Sequence, residues 1–295
     1  MVAQKSLPSR LFDGFNILLM ILISLAMVYP FYYMFIVSIS GNTAVMTGSV
    51  NLLPVAPSFA AYQSILKDPM ILVGFENSFL YMVVGTLINM VMTALCAYPL
   101  SRPDFFGRGI FIKLFVFTMF FNGGLIPLFL LVSNLGMINS IWAIVLPTAI
   151  NVFYLVIMKS FFQSLPFALT ESAYIDGAND IYIFWKIILP LSTPILATLI
   201  LFYAVAQWNS FLPPLIFLTE KENYPIQLFV RNIVIEGQTA DISNAMSQSQ
   251  VESAAMSEKS IKYALIISAA LPVMVIYPFI IRYFEKGVMI GSIKG

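Results

Sequence analysis

The chain has 295 residues, 60% of them hydrophobic and only 10% charged, with a formal net charge of +1; an ordinary soluble domain is about 25% charged, so lipid must be the solvent for much of this surface. The near-neutral balance gives no footing to nucleic acid or to a strongly acidic or basic partner. The absence of histidine excludes most zinc sites and the Ser-His-Asp and Cys-His nucleophile arrangements, the single Cys96 excludes an intrachain disulfide, and no G-x-x-x-x-G-K-[ST] occurs, so nucleotide energy must arrive through a partner.

Basic residues in MVAQKSLPSRLFDG precede an apolar run, Phe15 to Ile39, that is too long for a signal-peptide core and has no A-x-A cleavage pattern after it. It reads as an uncleaved first span. A helix crosses the hydrocarbon core in about 20 apolar residues, with its backbone polar groups satisfied internally. Six segments qualify, at 15–39, 76–99, 110–132, 140–158, 195–218 and 263–284, which predicts an all-α membrane protein. The third and fourth form one uncharged stretch between Lys113 and Lys159, divided at SNLGMINS, Ser133 to Ser140. Prolines inside the spans (Pro30, Pro127, Pro147, Pro213, Pro214, Pro272 and Pro278) read as kinks. The loops 40–74 and 219–262 are long, and the second is rich in Ser, Gln, Asn and Glu. With the N-terminus inside, 10 of the 15 basic residues fall on inner segments. The termini, 1–14 and 285–295, and the loop 160–194 are therefore expected in the cytoplasm, and 40–74 and 219–262 outside.

The loop 160–194 carries ESAYIDGANDIYIFWKIILP, Glu171 to Pro190. Pro166 suits the start of a first helix and Gly177 its end, while Asn179 or Asp180 caps a second. In that second helix Ile181, Phe184, Trp185 and Ile188 recur at spacings of three and four, giving one apolar face. A hydrolase built on Glu171, Asp176 and Asp180 fails because a loop with no pocket-forming domain cannot exclude water. A docking element for a groove on another protein fits better. Glu171, Ser172, Ala173, three residues, Gly177, nine residues, then Ile187, Leu189 and Pro190 resembles the EAA loop of ABC-importer permeases, with Ser172 in place of the first alanine.

That resemblance implies a type I ABC importer permease fold in the bacterial cytoplasmic membrane and no catalytic residue of its own. It implies that Glu171, Ser172, Ala173, Asp176, Gly177, Ala178, Phe184 and Trp185 meet an ATPase, Glu171 through polar contacts, Gly177 through a bend, and Phe184 with Trp185 through apolar contact. The implied partners are a second homologous permease, a homodimeric ATP-binding subunit that holds the ATP and Mg, and an extracytoplasmic solute-binding protein. No cofactor or metal is expected on this chain.

Trp208-Asn209 in the fifth span and the tail KGVMIGSIKG resemble the carbohydrate branch of these permeases, whose tails reach toward the ATPase; Lys286, Gly291 and Lys294 are the implied contacts. FFNGGLIPLF, IKYALII and VIYPFIIRYFEKGVMIGS further resemble permeases for uronate-containing and other complex oligosaccharides, alginate importers among them. An acidic, alginate-like saccharide is the expected substrate. A sugar path needs hydrogen-bonding groups and flat aromatic faces around water. Asn89, Asn122, Gln207, Trp208 and Asn209 are the candidates, each of which can instead serve helix–helix hydrogen bonding. The alternative, a secondary sugar transporter driven by an ion gradient, would want ionisable groups at mid-membrane, and the spans lack them.

Overall fold

The computed structural model describes residues 7–244 and 259–277. Helix dominates and no strand occurs among the described residues. The helices are α1 (Leu7–Ser38), α2 (Asn42–Met46), α3 (Ala60–Lys67), α4 (Pro69–Ser101), α5 (Arg108–Phe120), α6 (Leu125–Asn134), α7 (Ile141–Val145), α8 (Val152–Ser164), α9 (Ala168–Ile175), α10 (Asp180–Ile183), α11 (Leu189–Leu191), α12 (Thr193–Trp208), α13 (Leu212–Phe217), α14 (Ile226–Asn244) and α15 (Lys259–Tyr277). Three of them, α4, α15 and the stretch Leu11–Ser38, are long and apolar enough to cross a membrane, and three bent pairs raise the number to six.

The chain divides into two compact units. The first takes residues up to Asp68 together with 232–270. In it α1 leaves most of its length exposed and buries only its far end, where Ile36 and Val37 pack with Ala44 and Val50 and are joined by Tyr33, Val45 and Tyr263. The Tyr32 hydroxyl donates to the Leu52 carbonyl at 2.6 Å, and Ser38 and Tyr62 share a hydroxyl contact at 2.8 Å. The loop expected at 40–74 thus contains α2 and α3, and the helix expected from residue 76 already begins at Pro69.

The second unit, 69–231 with 271–295, is organised around α4. Its buried positions Gly74, Ser78, Tyr81, Gly85, Asn89, Thr93 and Ala97 recur every three or four residues and are mostly small. Small residues let helix backbones approach closely where hydrophobic exclusion gives no net drive between helices in lipid. The approach is closest at Gly85, where an added Cβ would lie 2.7 Å from the Gln207 side chain. Around α4 the core collects Ala94, Ala97 and Leu100 with Leu155, Met158 and Phe162 of α8, Ile183, Phe184 and Ile188 of the loop, and Leu199 of α12.

Two of the predicted spans are bent. Between α5 and α6 the axis turns by 113° at Phe121 to Gly124, where Gly124 takes φ +90°, a value that only glycine adopts at no steric cost. The fourth is bent by 52° where Pro147 and residues 149–151 interrupt it, and an 82° bend at Ser192 sets α12 off from the loop helix Asp180–Leu191, just before the expected fifth span. Pro213 and Pro214 open α13, a separate short helix after α12.

Candidate functional site

The loop after α8 folds as two helices at an angle. α9 ends in a Schellman turn: Ala178 N–H donates to the Ala173 carbonyl at 2.9 Å and Gly177 N–H to the Tyr174 carbonyl at 3.0 Å. Gly177 sits at φ +81°, where a side chain would strain the backbone. Asn179 then caps α10, its side chain accepting from Tyr182 N–H at 2.8 Å. Glu171, Ser172, Asp176 and Gly177 are all exposed, as are Ile175, Ile181, Tyr182 and Trp185, whereas Ala173, Ile183, Phe184 and Ile188 are buried.

The single apolar face expected of Ile181, Phe184, Trp185 and Ile188 is therefore split in two. Residues Phe184 to Ile188 form a π-helical turn, which inserts one residue into the helical register. Trp185 is turned outward with Ile181, and Phe184 is turned into the core at 5% exposure, 5.1 Å from the Tyr98 ring. Phe184 thus mounts the loop, and Trp185, Ile181 and Ile175 supply its apolar outer surface. Ala178 lies half-buried beneath the turn.

In the sequence Arg102 counts only as a charge that orients the chain. In the structure it sits at the foot of α4 with its guanidinium 6.0 Å from the Tyr98 ring, 5.5 Å from Phe167 and 5.4 Å from Tyr174, within range for cation–π attraction. Its Nη2 donates to the Tyr174 hydroxyl at 2.9 Å, and that hydroxyl donates to Asp180 Oδ1 at 2.5 Å. The Tyr98 hydroxyl donates to the same oxygen at 3.3 Å, and Arg102 Nε pairs with Asp104 at 3.4 Å. Burial, with the bond to Asp180, pushes the Tyr174 phenol up, and nearby Arg102 pulls against that rise. These partners lie 72 and 78 residues from Arg102, so no local sequence pattern could have shown the cluster.

The five residues proposed for a sugar path are placed differently from one another. Asn89 is fully buried; its amide donates to the Thr148 carbonyl and its oxygen accepts from Gln207 Nε2 at 2.9 Å. Trp208 is 5% exposed, with its ring 6.5 Å from Phe75. Asn122 and Asn209 are exposed; Asn122 Oδ1 accepts from Gly124 N–H at 3.0 Å across the break of the third span, and Asn209 caps the end of α12. One turn along from Asn89, Thr93 and Tyr203 share a hydroxyl contact at 2.7 Å, and Tyr203 also accepts from Asn151 N–H at 3.2 Å. Lys286, Gly291 and Lys294 lie outside the described residues. No group of acidic, histidine or cysteine side chains able to hold a metal occurs among the described residues.

At the opposite end of α4, Asn139 takes φ +59° and joins two loops. Its oxygen accepts from Thr219 N–H at 2.6 Å and Glu220 N–H at 3.2 Å, and its amide donates to Thr219 Oγ1 at 2.7 Å. The same loop is pinned to α4 by Asn77, which donates to the Glu222 and Tyr224 carbonyls, and by Tyr81, which donates to Asn223. Asn-Ser after Gly-Met-Ile reads as a turn in the sequence, but its partners some 80 positions on do not.

Residues 71–290 match the family described as binding-protein-dependent transport system inner membrane component. The chain is 42% identical over 291 residues to the polygalacturonan/rhamnogalacturonan transport system permease protein YtcP of Bacillus subtilis (strain 168), a match covering 98% of this chain and 100% of that protein. It is 38% identical over 286 residues to protein LplC of the same organism, covering 97% and 96%. Among solved structures it is similar, at TM-score 0.86 and 31% identity, to a chain of a bacterial ABC transporter involved in the import of the acidic polysaccharide alginate, covering 96% of this chain and 100% of that one.

Proposed function

Because the chain belongs to the family of binding-protein-dependent transport system inner membrane components, we propose that its two-helix loop is where an ATP-hydrolysing partner grips it. It is a permease subunit of an ABC importer of saccharides, a multi-pass protein of the inner membrane. The ion-gradient alternative gives way to that membership. In this reading both termini and the loop are cytoplasmic, in accord with the distribution of Lys and Arg. ATP and Mg are held by a homodimeric ATPase.

The observation that carries the reading is the construction of the loop. Glu171, Asp176, Ile175, Ile181 and Trp185 are outward while Ala173, Ile183, Phe184 and Ile188 are set in the core of α4 and α8. A platform exposed on one side and anchored on the other passes a push from its outer surface to the spans as a rigid-body shift. Glu171 supplies the polar grip and Trp185 the apolar one. The tail residues Lys286, Gly291 and Lys294 add a second contact to the same ATPase. Glu171→Ala in the assembled transporter is expected to lower both ATPase copurification and uptake per ATP hydrolysed; normal copurification and coupling would sink the reading.

A second homologous permease completes the path, and a solute-binding protein delivers the substrate from outside. The third span supports this. Non-helical backbone at membrane depth persists only where protein or water covers it, and every residue from Phe121 to Leu130 is exposed in the single chain. The break at Phe121 to Gly124 therefore faces the partner permease or the water-filled path, with Asn122 offering its amide there. Asn209 is the other open polar group, while Asn89 and Gln207 bond each other and Trp208 packs beside Phe75, shaping the wall behind them. The cargo is an acidic oligosaccharide, in keeping with relatives named for polygalacturonan/rhamnogalacturonan and alginate. Competition of labelled oligogalacturonide uptake by oligoalginate and by a neutral glucan tests this: inhibition by the neutral sugar alone would refute it.

A further inference from the structure

Docking at the loop explains where a push arrives but not how it reaches the spans, and the route inferred for it rests on that docking role. α9 has eight residues, a length at which a helix has no independent stability, and it meets α10, which runs on as helix to Leu191, at a glycine turn. α9 buries only Thr170 and Ala173. A cleft of about 570 Å³ lined by Leu95, Tyr98, Arg102, Ile181 and Trp185 opens beside the contact between α10 and α4. Packing alone leaves the angle between the two helices weakly held.

We propose that Arg102 is the positioning residue that locks α9 and α10 to the foot of α4, so that the loop and the second span move as one piece. The chain of contacts crosses the glycine turn: Arg102 to the Tyr174 hydroxyl on α9 at 2.9 Å, and that hydroxyl to Asp180 on α10 at 2.5 Å. Phe167, just before α9, lies 5.5 Å from the guanidinium. A planar guanidinium can stack on rings and donate along its edge at once, which an ammonium cannot. With the latch intact, a push on Glu171 or Trp185 is delivered to α4; with it broken, α9 pivots at Gly177 and the push is lost locally.

The test uses the complete transporter with its ATPase and binding protein in proteoliposomes. Tyr174→Phe removes one oxygen and keeps the ring, so subunit assembly, thermal midpoint and ATP hydrolysis are expected to stay at wild-type levels. Uptake per ATP hydrolysed is expected to fall about tenfold, the equivalent of one charge-assisted hydrogen bond. Arg102→Gln should fall at least as far, and Arg102→Lys should not recover, because it restores the charge without the fork. Unchanged uptake per ATP in Tyr174→Phe overturns the proposal, as does a loss of uptake that only tracks loss of assembled complex in that variant. Glu171→Ala run alongside separates the two ideas. If it abolishes ATPase binding while the Arg102 and Tyr174 variants couple normally, docking stands and the latch falls; if it binds and couples normally, the docking reading falls first.

Discussion

Gly177 offers a graded test of the turn that separates α9 from α10. The residue sits at φ +81°, and a Cβ built there would meet nothing within 4 Å. Within the chain, substitution therefore meets no steric clash, and its cost there lies in the backbone. For alanine that cost is about 1–2 kcal/mol, the penalty of a left-handed conformation for an L-residue. Asparagine visits that region more readily and should cost under about 1 kcal/mol. Proline is worse than either: it fixes φ near −65° and removes the N–H that donates to the Tyr174 carbonyl at 3.0 Å, costing about 3 kcal/mol or more. A loss of 1–2 kcal/mol reduces the population of the native turn by about 5–30-fold relative to alternatives. Uptake per ATP hydrolysed, measured in proteoliposomes, is expected to fall in the order glycine, asparagine, alanine, proline, with the spans still inserted. An alanine variant as well coupled as glycine, or an asparagine variant no better than alanine, would show that the turn is not held in this conformation during coupling.

Asn89→Leu removes both bonds that join α4 to Thr148 and Gln207 and should lower thermal stability in detergent by about 1–3 kcal/mol, at the scale of interhelical hydrogen bonds in membranes. The substrate concentration for half-maximal uptake should stay the same; a shift in it at wild-type stability would make Asn89 a sugar ligand. Gly85→Ala should act on the same network, because its Cβ would displace the Gln207 side chain 2.7 Å away; the two substitutions should be strongly non-additive in a double-mutant cycle. Tyr203→Phe deletes the hydroxyl shared with Thr93 and Asn151 and is expected to cost about 1–2 kcal/mol in the same melting assay. Asn139→Ala removes three side-chain bonds and strains φ +59°; hydrogen exchange should rise in residues 218–224, and Asn139→Gly should relieve the backbone part only.

Much of the architecture was legible because the bilayer imposes one coarse rule, about 20 apolar residues per crossing, and the chain obeys it. The two-helix loop was legible for a different reason: Gly177, Asn179 and Pro190 each act on their immediate neighbours, so local grammar suffices for the turn and the cap. Register inside that loop was not. Ile181 with Trp185 lies outward and Phe184 with Ile188 inward, and the apolar spacing alone does not say which of two adjacent pairs packs. The break of the third span did leave a signal, the Gly123-Gly124 pair, but a hydropathy reading passes over glycines set among phenylalanines. Arg102 and the Asn89–Gln207 pair were beyond reach because each is defined by a partner 72 to 118 residues away, and residue type alone cannot say which distant side chain it meets.

The bent spans share a feature that bears on how such a permease can move. Each break opens the hydrogen-bond ladder of a helix, and an open backbone group in hydrocarbon costs several kcal/mol. Here the breaks of the third and fourth spans each carry a repair. Gly124 N–H is taken by Asn122 Oδ1. Asn151 N–H is taken by the Tyr203 hydroxyl while the Asn151 side chain accepts from Tyr154 N–H at 3.2 Å. Bends satisfied in this way are fixed shapes, and straightening one would forfeit its repair. Access should therefore change by rigid movement of pre-bent helices. Asn151→Ala, which removes a helix cap worth about 1 kcal/mol, should lower stability without altering the uptake-to-hydrolysis ratio; a variant with normal stability and lost coupling would mean that the bend itself opens and closes during transport.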